Sequence, residues 1–199
     1  MPAPTIREAT PDDAAQIQAI YAPIVSTTTI SFELEPPSID EIRRRILHTS
    51  PKLPWLVCER DGILGYAYAS QHRSRAAYQW SVDVSVYVHE QARRMHIGRA
   101  LYTALFKILA LQGFFNAYAG IALPNPASVG IHESLGFVPV GVYRGVGYKL
   151  GAWHDVGWWQ LSLQPRTDDP APPRTLDAIR GSAAWDEALS AGTALIRQA

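Results

Sequence analysis

The stretch SVDVSVYVHEQARRMHIGRALYTALFKILALQ, residues 81–112, decides how this chain is read. Its opening alternates strictly, with Val82, Val84, Val86 and Val88 on one face and Ser81, Asp83, Ser85 and Tyr87 on the other, which is the two-residue period of a strand. Its close, Arg99 to Gln112, carries Leu101, Leu105, Ile108 and Leu109 at helical spacing. Between them lies the basic loop Arg93-Arg94-Met95-His96-Ile97-Gly98. The free amide hydrogens at a helix start, aligned with its dipole, attract phosphate or pyrophosphate, and neighbouring arginines add charge-assisted hydrogen bonds. Arg93, Arg94 and Arg99 would equally serve as solvated charges on a helix end, and composition alone does not separate the two readings. A Walker loop and a Gly-x-Gly-x-x-Gly fingerprint are both missing, since only Gly98 supplies a glycine here, so nucleotide hydrolysis and NAD chemistry lose support. Asp83 needs a reason of its own, because aspartate is disfavoured inside strands; the plain alternative is a carboxylate on a wet sheet face.

Outward from this stretch the chain alternates helices and strands. On the N-terminal side, Thr5 to Glu8 is a short apolar segment. Thr10-Pro11-Asp12-Asp13 opens a helix expected to run to about Tyr21. Ser38-Ile39-Asp40-Glu41 is a capping-box pattern opening a second helix with Ile42, Ile46 and Leu47, after the polar loop Ser26 to Pro37. Trp55 to Glu59 and Ile63 to Ala69 flank Asp61-Gly62 and read as a hairpin. On the C-terminal side, Asn116 to Ile121 is a strand and Asn125 caps a helix reaching Leu135, closed by Gly136. Phe137 to Tyr143 and Val156 to Leu163 are a last strand pair. Trp153, Trp158 and Trp159 near it are expected to fill the core or a dimer contact rather than stack on a ligand.

The 199 residues, 47% hydrophobic and 18% charged, suffice for one folded domain with an appendage. Eighteen basic and eighteen acidic residues cancel, so no nucleic acid or membrane partner is expected and any anion must be gripped locally. The single Cys58 excludes an internal disulfide framework and a cysteine-based zinc site, and His48, His72, His89 and His154 show no metal spacing, so no metal is expected. With neither an apolar run near 18 residues nor a basic-then-apolar start, the expected compartment is the cytoplasm. Beyond Gln164 the composition turns to Pro165, Pro170, Pro172 and Pro173. This divides the chain into residues 1–164 and a proline-rich linker with a short terminal helix, Ala183 to Gln198, in residues 165–199.

The strand, loop and helix of residues 82–112 resemble the acetyl-CoA signature of the GNAT acetyltransferase superfamily, whose loop reads Gln/Arg-x-x-Gly-x-Gly/Ala. Here it reads Arg93-x-x-His96-x-Gly98, so His96 must offer its backbone amide where the family has a glycine. A narrower match is to phosphinothricin N-acetyltransferases, through Tyr21-Ala22-Pro23-Ile24-Val25, Thr29-Ile30-Ser31-Phe32, Gly65-Tyr66-Ala67-Tyr68-Ala69, Arg75-Ala76-Ala77-Tyr78, Leu101-Tyr102, Leu123-Pro124-Asn125, His132-Glu133, Gly147-Tyr148-Lys149 and Trp153-His154-Asp155-Val156-Gly157. It spans roughly Ile6 to Gln164 and leaves out the tail.

That resemblance implies an α/β GNAT fold, a mixed and mostly antiparallel sheet split at the acetyl-CoA site and flanked by helices. It implies transfer of acetyl from acetyl-CoA to the α-amine of a small amino acid by direct attack. Asp83 stands where the family places an acidic residue and His132 where it places a histidine, which makes them the candidate catalytic pair, although a lone helical histidine is more often structural. Val86, Tyr87 and Val88 would offer backbone groups to the cofactor. The loop Arg93, Arg94, Met95, His96, Ile97 and Gly98 with Arg99 would hold its pyrophosphate, and Asn125 and Ser128 would contact it across the split. Arg75 and Tyr78, with Arg73, Phe32 and Glu33, would form the acceptor pocket. The family also suggests a homodimer. Two rivals stay open: an acetyltransferase for another amine, such as methionine sulfoximine, an amino acid or a protein N-terminus, and a CoA-binding module without catalysis.

Overall fold

The computed structural model describes residues 2–197. In chain order it builds β1 (Thr5–Glu8), α1 (Ala14–Thr27), α2 (Ile39–Thr49), β2 (Trp55–Glu59), β3 (Ile63–Gln71), β4 (Ser81–Val88), α3 (Ile97–Gln112), β5 (Asn116–Leu123), α4 (Pro126–Ser134), β6 (Val138–Lys149), β7 (Ala152–Ser162) and α5 (Ala183–Thr193). The seven strands form one sheet in the order β1-β2-β3-β4-β5-β7-β6. Every neighbouring pair is antiparallel except β4 and β5, which run parallel.

The valine row of β4 explains the layering. Val82 and Val84 are buried on the face that carries α3, whose Leu101, Leu105, Ile108 and Leu109 are fully enclosed. The opposite face is covered by α1 and α2 through Ile17, Ile42 and Ile46, and Tyr87 packs there against Tyr21 and Tyr66. Ser38 Oγ accepts the amide of Glu41 at 3.1 Å, the expected cap of α2. The first helix runs past Tyr21 to Thr27, with Pro23 inside it. Tertiary contacts override the proline, since Val25 is fully buried and its carbonyl accepts a hydrogen bond from Lys149 Nζ at 2.6 Å.

The segment after Pro165 returns to the core. Leu176, Ile179, Trp185 and Ala188 are buried in the cluster built on α3, each large side chain worth about 1.5–3 kcal/mol. Gly192 lets α5 approach closely, because a Cβ there would stand 2.5 Å from the carbonyl oxygen of Ala100. The terminal helix ends at Thr193; the last two residues of the chain, including Gln198, lie outside the described residues. Among the described residues no helix is long and apolar enough to cross a membrane.

Candidate active site

The sheet is split by its own pairing. Strand β4 keeps its partner β3 as far as Val88, and β5 keeps β7 as far as Leu123, yet β4 and β5 pair only from Ser81–Asn116 to Asp83–Tyr118. Beyond Asp83 they diverge, and the backbone edge of Val84 to Tyr87 faces that of Ala119 to Ala122 across a cleft. Tyr102, Asn125, Ser128 and His132 close one wall, and Ile30 reaches in from the loop after α1. Backbone groups on a parted strand edge can hydrogen-bond an extended ligand as another strand would.

One end of the cleft suits an anion. Arg94 and His96 both adopt left-handed backbone, at φ 68° and 61°, ahead of the free amides of α3. Met95 and Ile97 send their side chains into the core. His96 thus occupies the conformation that a glycine would adopt without cost. Gly98 meets a different demand, since a Cβ there would stand 3.0 Å from Ile131 Cδ1 on α4. Arg93 and Arg94 are exposed. Arg99 donates to Ser134 Oγ at 2.8 Å, so its side chain is already tied to the end of α4. Asn125 Oδ1 accepts the Ser128 amide at 3.1 Å and caps α4.

Where the strands part, Asp83 meets a residue to which the sequence reading gave no role. His72 Nδ1 lies 2.6 Å from Asp83 Oδ1. A carboxylate oxygen accepts, so Nδ1 carries the hydrogen and Nε2 of the neutral ring keeps a free lone pair. Burial pushes the Asp83 carboxyl above its ordinary range, and the hydrogen bond from His72 pulls against it. The imidazole stacks on Tyr118, centroids 4.4 Å apart, with Tyr78 and Trp158 edge-on. The β3–β4 register brings them together: Ser70 pairs with Asp83, which makes His72 the diagonal neighbour of Asp83, a relation with no local signature in the sequence.

On the other wall His132 is buried. Its Nδ1 donates to the Ser128 carbonyl at 2.7 Å, so Nε2 accepts from the Tyr102 hydroxyl at 3.0 Å. Burial holds its pKa below the usual imidazole value, against the opposing pull of the Ser128 carbonyl, and keeps the ring neutral. The hydroxyl of Tyr102, pushed up by complete burial, is therefore the hydrogen-bearing group of this pair. Its partnership with His132 spans 30 positions and has no local signature.

The expected acceptor residues divide into two groups. Tyr78 borders His72, and the Arg73 guanidinium lies 5.9 Å over the ring of Trp158. Trp158 covers Gly120 on the cleft edge and so belongs to this group rather than to the core, whereas Trp159 is buried and Trp153 is exposed. Arg75 is exposed one turn away. Phe32 and Glu33 stand apart from these, in the loop after α1. Glu33 is held by Arg45 at 2.8 and 3.1 Å and by the Tyr21 hydroxyl at 2.8 Å; these bonds outweigh burial and lower its pKa. Phe32 lies flat on Gly147, where any Cβ would meet its ring at 2.1 Å. Lys149, also buried, donates to the Val25 and Ser31 carbonyls at 2.6 and 2.7 Å and fastens this loop to β6. Three or more histidine, cysteine or acidic side chains do not cluster as a metal site anywhere among the described residues.

Comparison with known proteins bears on this arrangement. A family model described as an acetyltransferase (GNAT) domain matches residues 6–158. A phosphinothricin N-acetyltransferase of Streptomyces viridochromogenes is 41% identical over 175 residues, covering 87% of this chain and 93% of that protein. An L-methionine sulfoximine/L-methionine sulfone acetyltransferase of Salmonella typhimurium is 34% identical, covering 85% and 98%. The crystal structure of a GNAT superfamily phosphinothricin acetyltransferase from Sinorhizobium meliloti in complex with acetyl-CoA superposes with a TM-score of 0.80. It is 31% identical and covers 88% of this chain and 99% of that one.

Proposed function

Because the chain belongs to the GNAT acetyltransferase family, we propose that it moves acetyl from acetyl-CoA to the α-amine of phosphinothricin or a similar small amino acid, by direct attack in a ternary complex. The observation that carries this reading is the arrested pairing of β4 and β5 at Asp83 and Tyr118, which leaves two strand edges facing a cleft with a left-handed anion loop at one end.

In this reading Val86, Tyr87 and Val88 offer backbone groups to the pantetheine arm and the oxyanion, and the amides of residues 93–99 hold the pyrophosphate. Asn125, the cap of α4, and Ser128 in its first turn face the same ligand. Asp83 relays the amine proton. The hydrogen-bonded Tyr102 and His132 supply the proton that the departing thiolate needs, and Tyr102 is an addition to the pair expected from sequence. Arg73, Arg75 and Tyr78 receive the acid groups of the acceptor, with Phe32 and Glu33 forming the farther wall. The protein works in the cytoplasm without metal, nucleic acid or membrane. The exposed apolar strand β6 is the face on which two copies pair as a homodimer.

A screen of CoA release by the purified chain with phosphinothricin, methionine sulfoximine, methionine sulfone and the ordinary amino acids tests the assignment. Turnover is expected with phosphinothricin or a sulfoximine. Preference for another amine would keep the chemistry and change the acceptor. Tight acetyl-CoA binding without turnover of any amine would identify a binding module.

A further inference from the structure

The geometry points to His72 as a catalytic residue, its Nε2 taking the proton from the acceptor's ammonium while Asp83 holds the ring and balances the charge it gains. This deepens the acetyl-transfer reading above and rests on it.

Three observations carry the inference. First, the 2.6 Å contact from Nδ1 to Asp83 fixes the tautomer, so the lone pair of the neutral ring lies on Nε2, which has no hydrogen-bond partner among the described residues. Second, the ring is confined: Tyr118 stacks beneath it at 4.4 Å and 15°, and Tyr78 and Trp158 approach edge-on at 6.0 and 6.2 Å. Such packing aims the free nitrogen and is more than a surface histidine needs. Third, two of its neighbours border the split. Tyr118 is the last β5 residue paired to β4, and Trp158 covers Gly120 on the cleft edge.

A side chain as short as that of Asp83 reaches little beyond its own strand; the imidazole extends that reach, and a carboxylate behind it stabilises the imidazolium as it forms. The protons balance. The ammonium gives one hydrogen to Nε2, and the freed nitrogen lone pair forms the C–N bond as the carbonyl π pair moves to oxygen. Collapse breaks the C–S bond with its pair on sulfur. The thiolate takes its proton from the Tyr102 hydroxyl, the second hydrogen lost by the nitrogen passes through water to restore that hydroxyl, and the imidazolium of His72 returns its proton to solvent.

The test uses the full chain with an amine that the wild type acetylates, at saturating acetyl-CoA. His72→Gln retains a donor for Asp83 but cannot take up a proton; His72→Ala leaves a space on Tyr118 for free imidazole. Both variants are expected to lose roughly 10²- to 10³-fold in kcat with the acetyl-CoA KM within about threefold of wild type. Added imidazole should restore His72→Ala at least tenfold. The inference is overturned if His72→Gln keeps kcat within about threefold, or if its only defect is a higher acceptor KM. It also fails if His72→Ala is deaf to imidazole while His72→Gln retains activity. In each of these cases wild-type turnover leaves the acetyltransferase reading standing; a wild type that acetylates no amine removes both.

Discussion

Asp83 and His132 show how much a single residue type can announce. An aspartate inside a valine strand is an anomaly that sequence can flag, and the structure gives it a half-buried, hydrogen-bonded setting. His132 gave a weaker signal, because one histidine on a short helix has many structural uses; its contacts with Tyr102 and Ser128 came only with the fold. His72 was weighed in the sequence only as a metal ligand, set aside for want of spacing, since its partnership with Asp83 depends on the β3–β4 register. The burial of His132 has a consequence for stability. Its folded pKa lies below that of the unfolded chain, about 6.5, so below that pH the unfolded state binds the extra proton. The contribution of the neutral ring is complete above pH 6.5 and is lost as pH falls toward the folded pKa. Thermal melts from pH 7.5 to 5 should show a steeper loss of Tm for wild type than for His132→Gln, whose subtraction cancels the other titrating groups. Parallel curves would mean that the imidazole is not buried as described.

At the scale of elements, strands and helices with strong period were legible, and their ends were not. Strand β4, helix α3 and the capped start of α2 follow from alternation, spacing and Ser38. Helix α1 outran its expected end because Lys149, over a hundred residues later, draws in its last turn. Strand β6 extends to Lys149 rather than stopping at Tyr143. Its register shifts between Tyr143 and Gly147, and there Asp155 takes the Gly145 amide at 2.7 Å and pairs with Arg144. The same strand is the sheet edge, with Val138, Val140, Val142 and Tyr148 each at least 40% exposed. A long apolar edge of this kind is normally covered. Light scattering after size exclusion should therefore give twice the chain mass, and Val140→Lys with Tyr148→Lys should give a folded monomer. A wild-type monomer at tens of micromolar would leave the edge without a second copy.

At the scale of the whole molecule, the turn of residues 93–98 into α3 was legible because its parts are consecutive, and His96 adopts left-handed backbone there. The insertion of β7 between β5 and β6, and the return of residues 176–188 to the α3 core, depend on contacts made far apart along the chain and left no local pattern. Asp83 on β4, with His72 just beyond the end of β3, stands where β4 and β5 stop pairing, and His132 on α4 with Tyr102 on α3 lines the cleft beyond, so the proposed mechanism requires both pairs to act in one transition state. The most direct test is a double-mutant cycle in kcat at saturating substrates, with Asp83→Asn, His132→Ala and both together. Each single change is expected to cost roughly 10²- to 10⁴-fold, about 3 to 5 kcal/mol, with acetyl-CoA affinity little altered and the double loss smaller than the product of the two. Folded single variants within about threefold of wild type would contradict it, leaving proximity of the bound reactants to account for the rate.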